Sequence, residues 1–185
     1  LALGFMALLL LTVTRNDLLE AWQRAIPPDA ANRFVVNIQP EQVEEVRALM
    51  VAQGLSPELA PMIRGRLTTI NGVEVSAASY TDDRAQRLVD REFNLSVRAD
   101  LPEGNRLSAG RWFSPADLGG KGASAVASVE EGLATTLGLS VGDRLEFVVD
   151  GDRIGMTVVG LRKVNWDTMR ANFFVLTPPV VLDGY

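Results

Sequence analysis

Between Gly142 and Pro179 the chain holds its longest run of strand-forming sequence, and the alternation inside it restricts the fold more than any other feature. Leu145, Phe147 and Val149 alternate with Glu146, Val148 and Asp150. Asp150-Gly151-Asp152 then supplies turn residues, and Ile154, Met156, Val158 and Gly160 resume the period of two. Side chains on a strand point to opposite faces in turn, so two such runs joined by a short Asp-Gly turn predict a β-hairpin with one buried face. This hairpin is expected to be the spine of the sheet. Residues 165–174, Asn-Trp-Asp-Thr-Met-Arg-Ala-Asn-Phe-Phe, follow it, and nothing in hairpin physics requires that wording.

Composition enters as a filter on function. The chain has 185 residues, 47% of them hydrophobic, enough for a real core in one large domain or two small ones. The formal charge of −5 argues against a nucleic-acid partner, because counterion release needs clustered cations facing phosphate. There is no cysteine, hence no disulfide and no thiolate metal site. There is no histidine either, which removes the commonest general base and the commonest metal ligand together.

Residues 1–14, LALGFMALLLLTVT, carry no charge. As a helix they cover roughly 20 Å against a hydrocarbon core of about 30 Å, too short to span. A signal peptide would show a basic start and a small-residue cleavage site, and neither is present. The expected reading is the end of a transmembrane helix whose first turns precede residue 1. Leu18, Leu19, Trp22 and Ile26 recur at helical spacing beside Asp17, Glu20 and Arg24, so the helix should continue out of the bilayer, with Arg15 and Trp22 at the headgroups. The alternative is a buried core helix of a soluble domain. Arg15 and Arg24 are offset by Asp17 and Glu20, so charge does not set the orientation. Pro27 and Pro28 should stop the helix.

Beyond them, residues 34–38 read as a short strand. Pro40 then opens a helix with Val43, Val46, Leu49 and Met50 as its buried stripe and Gly54 as a left-handed cap. Residues 63–70 read as the return strand, and Asn71-Gly72 as a two-residue type I′ turn and nothing more. A small-residue connection at 76–79 leads to a short helix over 81–90 and a strand over 92–98 with Phe93, Leu95 and Val97 on one side. Irregular loops are expected at 101–105 and 117–122, a strand at 124–128, and a helix at 129–137 with Glu130 and Glu131 in its first turn and Gly138 at its end.

Candidates for chemistry are few and each has a plainer explanation. Gly119-Gly120-Lys121-Gly122-Ala123-Ser124 resembles a phosphate loop, but glycine follows Lys121 where Ser or Thr is needed, and the spaced first glycine is missing. Asp150 and Asp152 could start a calcium loop, yet no downstream glutamate completes it, and turn chemistry accounts for them. Glu130-Glu131 and Asp82-Asp83 are adjacent in sequence and so diverge on a helix. A serine nucleophile could use only Lys121 or Lys163, the two lysines present. Arg64 and Arg66 share a strand face and could meet an anion, though a solvated face explains them. No residue is assigned a catalytic, cofactor-binding or metal-ligating role.

These phrases together resemble one family. The apolar helix end, the Pro-Pro-Asp-Ala-Ala-Asn-Arg-Phe segment, the helix-to-strand phrase over residues 129–147, Gly110-Arg111-Trp112-Phe113 and residues 165–174 are similar to the large extracytoplasmic domain of FtsX-like (MacB-like) ABC permeases. The helix-to-strand phrase occurs in many folds, whereas the Trp166 to Phe174 wording is much narrower.

The resemblance implies an α+β periplasmic core domain preceded by the end of a transmembrane helix. Residues 1–26 would be that helix end and a juxtamembrane stalk. Residues 32–75 with 165–185 would form a mixed α/β part near the membrane, and 76–164 an inserted strand-rich part. It implies a bacterial inner-membrane location, a cognate ABC ATPase as partner, a periplasmic protein or lipid as client, and no cofactor and no catalysis in this domain. ATP hydrolysis on the ATPase would drive the motion. Two readings from other classes stand beside it: a membrane-anchored binding or scaffolding module, and a hydrolase using a Ser-Lys pair.

Overall fold

The computed structural model describes residues 2–25, 33–119, 124–168 and 170–185. The expectations placed on Ile26, Pro27, Pro28, Lys121 and Met169 lie outside the described residues, as do those on the side chains of Trp22 and Arg24.

The hairpin forms where the alternation puts it. Strands β6 (Arg144–Val149) and β7 (Asp152–Val164) pair antiparallel, with Val149 opposite Asp152 and Leu145 opposite Met156. Asp150 at φ 47 and Gly151 at φ 91 make the turn, both in the positive-φ region that a two-residue hairpin loop demands. Leu145, Phe147 and Val149 are buried, and so are Met156, Val158 and Gly160 on the partner strand. One face of the hairpin is therefore core.

The other strands assemble around this spine. They are β1 (Ile63–Ile70), β2 (Val73–Glu74), β3 (Phe93–Val97), β4 (Asn105–Gly110), β5 (Val126–Glu130) and β8 (Val175–Thr177). β1 pairs antiparallel with β3 and β6, β3 runs parallel to β8, β8 antiparallel to β5, and β5 parallel to β7. Since β7 also pairs β6, the chain of hydrogen-bonded neighbours returns to β1. β2 and β4 extend the sheet at its two long strands. Strands from residues 32–75, 76–164 and 165–185 thus share one eight-stranded sheet.

Phe93 and Phe147 meet edge to face at 6.1 Å between ring centroids in the core, an arrangement worth more than area burial alone. Two short helices close over it, α3 (Asp83–Val89) through Ala85, Leu88 and Val89, and α5 (Glu131–Leu137) through Leu133, Ala134 and Leu137. Asp82 caps α3 by accepting from the Ala85 amide at 2.9 Å. Gly138, at φ 71 and ψ 31, ends α5 in the left-handed conformation.

Several expectations change. Residues 34–38 form no strand: Asn37 at φ 62 interrupts the extended run, and Phe34, Val35 and Val36 stay exposed. Helix α2 (Val43–Ala52) forms after a 3₁₀ turn at Pro40–Gln42, and Gly54 takes φ 75 as expected. Its stripe is not buried, however: Val43, Val46 and Met50 are half-buried and Leu49 is exposed. β5 begins and ends two residues later than read from sequence, so Glu130 is the last strand residue and the cap of α5, where its carboxylate accepts from the Leu133 amide at 2.7 Å. Strand β4 starts at Asn105, the last residue of the loop expected at 101–105, and the short helix α4 (Pro115–Leu118) takes the first two residues of the loop expected at 117–122; neither element is expected from the sequence.

Helix α1 (Ala2–Ala25) runs unbroken for 24 residues. Its described side chains are all exposed, with Phe5 at 70% and Leu11 at 68%, so the sheet and helices of residues 33–185 do not bury them. Among the described residues no helix is long and apolar enough to cross a membrane.

Candidate functional site: a buried arginine network behind the 165–174 loop

The inward face of β7 reads Met156, Val158, Gly160, Arg162, Val164, so the period of two that buries the hairpin also buries a cation. Arg162 is 0% exposed. Its Nη1 donates to Asn105 Oδ1 at 2.9 Å, and its Nη2 donates to the Phe173 carbonyl. Glu130 lies opposite it in the β5–β7 register and supplies the compensating negative charge. Burial pushes the guanidinium down to about 10, against the pull of the Glu130 carboxylate.

Asn105 continues the chain of contacts. Its Nδ2 donates to Asn172 Oδ1 at 2.9 Å, and Asn172 Nδ2 donates to the Arg170 carbonyl at 3.3 Å. Arg162 therefore fastens the loop after β7 to the sheet through Asn105, Asn172 and Phe173. On the outer side Arg170 pairs with Glu103 at 3.0 Å and lies 3.8 Å from Glu58, which also binds Arg98 at 2.6 Å. The Trp166 ring packs against Phe174 at 5.4 Å. The wording of residues 165–174 that hairpin physics left unexplained is largely the wording of this attachment.

A second polar knot surrounds Gly110-Arg111-Trp112-Phe113. Gly110 sits opposite Gly160 at φ 70, and a Cβ there would stand 2.2 Å from the Val159 carbonyl oxygen. Past that crossing Arg111 grips Asp117 with both nitrogens, Nη1 to Oδ2 at 2.5 Å and Nη2 to Oδ1 at 3.2 Å. Ser114 donates to Asp117 Oδ2 from its amide at 2.7 Å and from its hydroxyl at 2.6 Å. The Arg111 fork, with Ser114 assisting, holds this buried carboxyl well below the usual carboxylate range. Trp112 Nε1 donates to the Ala99 carbonyl at 2.8 Å. These are positioning contacts with every partner protein.

The residues weighed in sequence do not converge. Asp150 is in the hairpin turn, and Asp152 accepts from the Tyr185 hydroxyl at 2.8 Å. Glu130 and Asp82 are helix caps, while Glu131 and Asp83 lie in first turns. Lys163 is exposed on β7 opposite Arg106, and Arg64 and Arg66 are exposed on β1. Among the described residues no three acidic side chains form a metal-binding group. Asn71-Gly72 does turn the chain, at φ 53 and 76, but Asn71 does more than that. Its side chain accepts from the Arg144 amide and donates to Asp143, both at 2.8 Å, tying the β1–β2 turn to the start of β6.

Arg162 went unread in sequence although a signal existed, since a charged residue occupies an inward slot of an alternating strand. Asn105 and Asp117 gave no such signal, because their burial depends on β4 and α4.

The fold is a closed circuit of mixed strands in which a buried cation, Arg162, fastens the aromatic loop after β7 to the sheet. The model of the MacB-like periplasmic core domain matches residues 1–183, and the chain belongs to that family. It is also 37% identical over 184 residues to an ABC transporter permease of Escherichia coli named YbbP. That match covers 99% of this chain and 21% of the relative, so the chain spans about a fifth of its length. By family and by relative, the fold described above is a periplasmic domain of an ABC transporter permease, and the resemblance carried by residues 129–147 and 165–174 is borne out.

Proposed function

We propose that this domain passes motion from a cognate cytoplasmic ATPase to a periplasmic protein or lipid client, at the outer face of a bacterial inner membrane. The observation that carries the reading is α1. Leu8, Leu9, Leu10 and Leu11 are consecutive and so cover nearly the whole circumference of the helix, yet all are exposed. A helix that is apolar all round needs an apolar surrounding, and lipid supplies one. From residue 14 onward the same helix becomes polar without a break, as a membrane helix continued into a stalk would. Residues 1–26 are then the helix end and stalk, residues 32–75 with 165–185 the membrane-proximal part, and 76–164 the inserted strand-rich part, the last two contributing strands to one sheet. A continuous helix transmits rotation or tilt as a lever.

Residues 1–185 contain no cysteine, so paired labels can be placed here once any cysteines elsewhere in the full permease are removed. Leu18→Cys on α1 and Glu74→Cys on β2 would carry spin labels in the full permease, reconstituted with its ATPase in lipid nanodiscs. Trapping the ATPase with ATP and vanadate is expected to shift the distance distribution between them. An unchanged distribution would favour the anchored scaffolding module instead.

A further inference from the structure

Asn71-Gly72 is the chain's one Asn-Gly pair, and every other asparagine precedes a residue with a side chain. Glycine hinders least the attack of a backbone nitrogen on the carboxamide before it, so this is where spontaneous loss of a side-chain amide meets the smallest steric barrier. Both residues are exposed, and Gly72 stands in open space, so solvent base reaches its amide. Yet the carboxamide is held at both ends. Its Oδ1 accepts from the Arg144 amide and its Nδ2 donates to Asp143 Oδ1, each at 2.8 Å, while the Asn71 backbone amide donates to the Arg144 carbonyl at 2.7 Å. Asp143 is fixed in turn, since its Oδ2 accepts from the Ser140 amide at 2.7 Å. A donor at one end and a carboxylate at the other leave the carboxamide a single orientation.

We propose that Asn71 is a site of spontaneous deamidation, kept shut while residues 143 and 144 hold its side chain, and that its conversion unfastens the β1–β2 turn from β6. In the reaction the Gly72 nitrogen gives its proton to solvent base and bonds to Asn71 Cγ. The Cγ–Nδ2 bond breaks, and Nδ2 takes a proton from water and leaves as ammonia. Water then opens the cyclic imide at either carbonyl, giving aspartate or isoaspartate. Carrying Cγ onto the Gly72 nitrogen breaks the bonds to both Arg144 and Asp143, so the docked strand withholds the reactive geometry. In the aspartate product a carboxylate oxygen replaces Nδ2 and faces the Asp143 carboxylate across the former hydrogen bond, where like charges repel. Isoaspartate instead adds a backbone atom to a two-residue turn whose length fixes the register of its strands.

Peptide mapping by mass spectrometry of the full permease, incubated in lipid nanodiscs in mildly alkaline buffer, tests this against a free peptide of residues 67–76. Asn71 is expected to deamidate about tenfold or more slowly in the permease than in the peptide, the scale of one hydrogen bond to a charged group. Asp143→Ala, which removes that bond, is expected to deamidate about tenfold faster than the parent. Arg162→Met loosens the sheet at the other end of β7 and is expected to keep the parent's rate. A permease rate equal to the peptide's, or an Asp143→Ala rate equal to the parent's, would overturn the fastening. Equal acceleration in Arg162→Met and Asp143→Ala would overturn it too, as general loosening of the sheet. Asn71→Asp is expected to raise hydrogen exchange across residues 67–76 and 143–148, and unchanged exchange there would overturn the unfastening.

Discussion

Methionine at position 162 would match much of the arginine's length without its charge, leaving the Glu130 carboxylate, the Asn105 amide oxygen and the Phe173 carbonyl without their cation. Truncating one side of a buried charged network costs about 3 kcal/mol. Urea denaturation of Arg162→Met is expected to show a loss of that size, and lysine should not restore it, since one ammonium cannot reproduce a planar fork reaching two acceptors. A midpoint equal to the parent's would contradict the network. Because the guanidinium is pushed down to about 10, its charge opposes folding below that pH, and the loss in the variant comes from the stranded acceptors. Asp117 has the opposite linkage. Its folded pKa lies below the ordinary 3.8, so its contribution is complete above pH 3.8 and declines as pH falls further. The stability gap between the parent and Asp117→Asn should therefore be constant near neutrality and narrow below pH 3.8. A gap that persists unchanged to pH 2 would rule out the charged contact as its source. Of these two residues only Arg162 was legible in sequence, by its place in the alternation.

At the scale of elements, glycines separate two kinds of turn. Gly138 ends α5 in open space, so alanine there meets only the left-handed strain of about 1 kcal/mol. Gly110 has a similar φ, but its Cβ would collide with the Val159 carbonyl, so Gly110→Ala is expected to cost more than Gly138→Ala by about 1 kcal/mol or more in thermal or urea unfolding. Equal costs would mean that β4 shifts freely on β7. The β6–β7 hairpin was readable because one face is buried and the other is not, which writes a period of two into the sequence. β5 lies between β7 and β8 and is buried on every residue, so its ends carry no alternation and were misjudged by two residues. β4 is exposed at all but Asn105, and its sequence Asn-Arg-Leu-Ser-Ala-Gly has no apolar face to detect. Residues 34–38 show the converse: strand-forming residues remain unpaired when Asn37 takes positive φ.

For the molecule as a whole, the parallel pairs β3–β8 and β5–β7 join residues about 80 and 30 positions apart, and no local pattern announces such crossovers. The family was legible earlier than the topology, through residues 165–174 and Gly110-Arg111-Trp112-Phe113, whose side chains prove to be internal fastenings. What composition and helix length indicated most plainly was α1, an apolar rod with no protein cover for its described side chains. On the function proposed above, this rod enters lipid while the sheet faces the periplasm. The most direct measurement is accessibility of single cysteines to a membrane-impermeant maleimide in intact spheroplasts expressing the full permease, its other cysteines removed. Leu8→Cys is expected to stay unlabelled even after permeabilisation, whereas Glu44→Cys and Glu74→Cys react from outside at once. Rapid labelling at position 8, or protection of positions 44 and 74 until the membrane is opened, would contradict it.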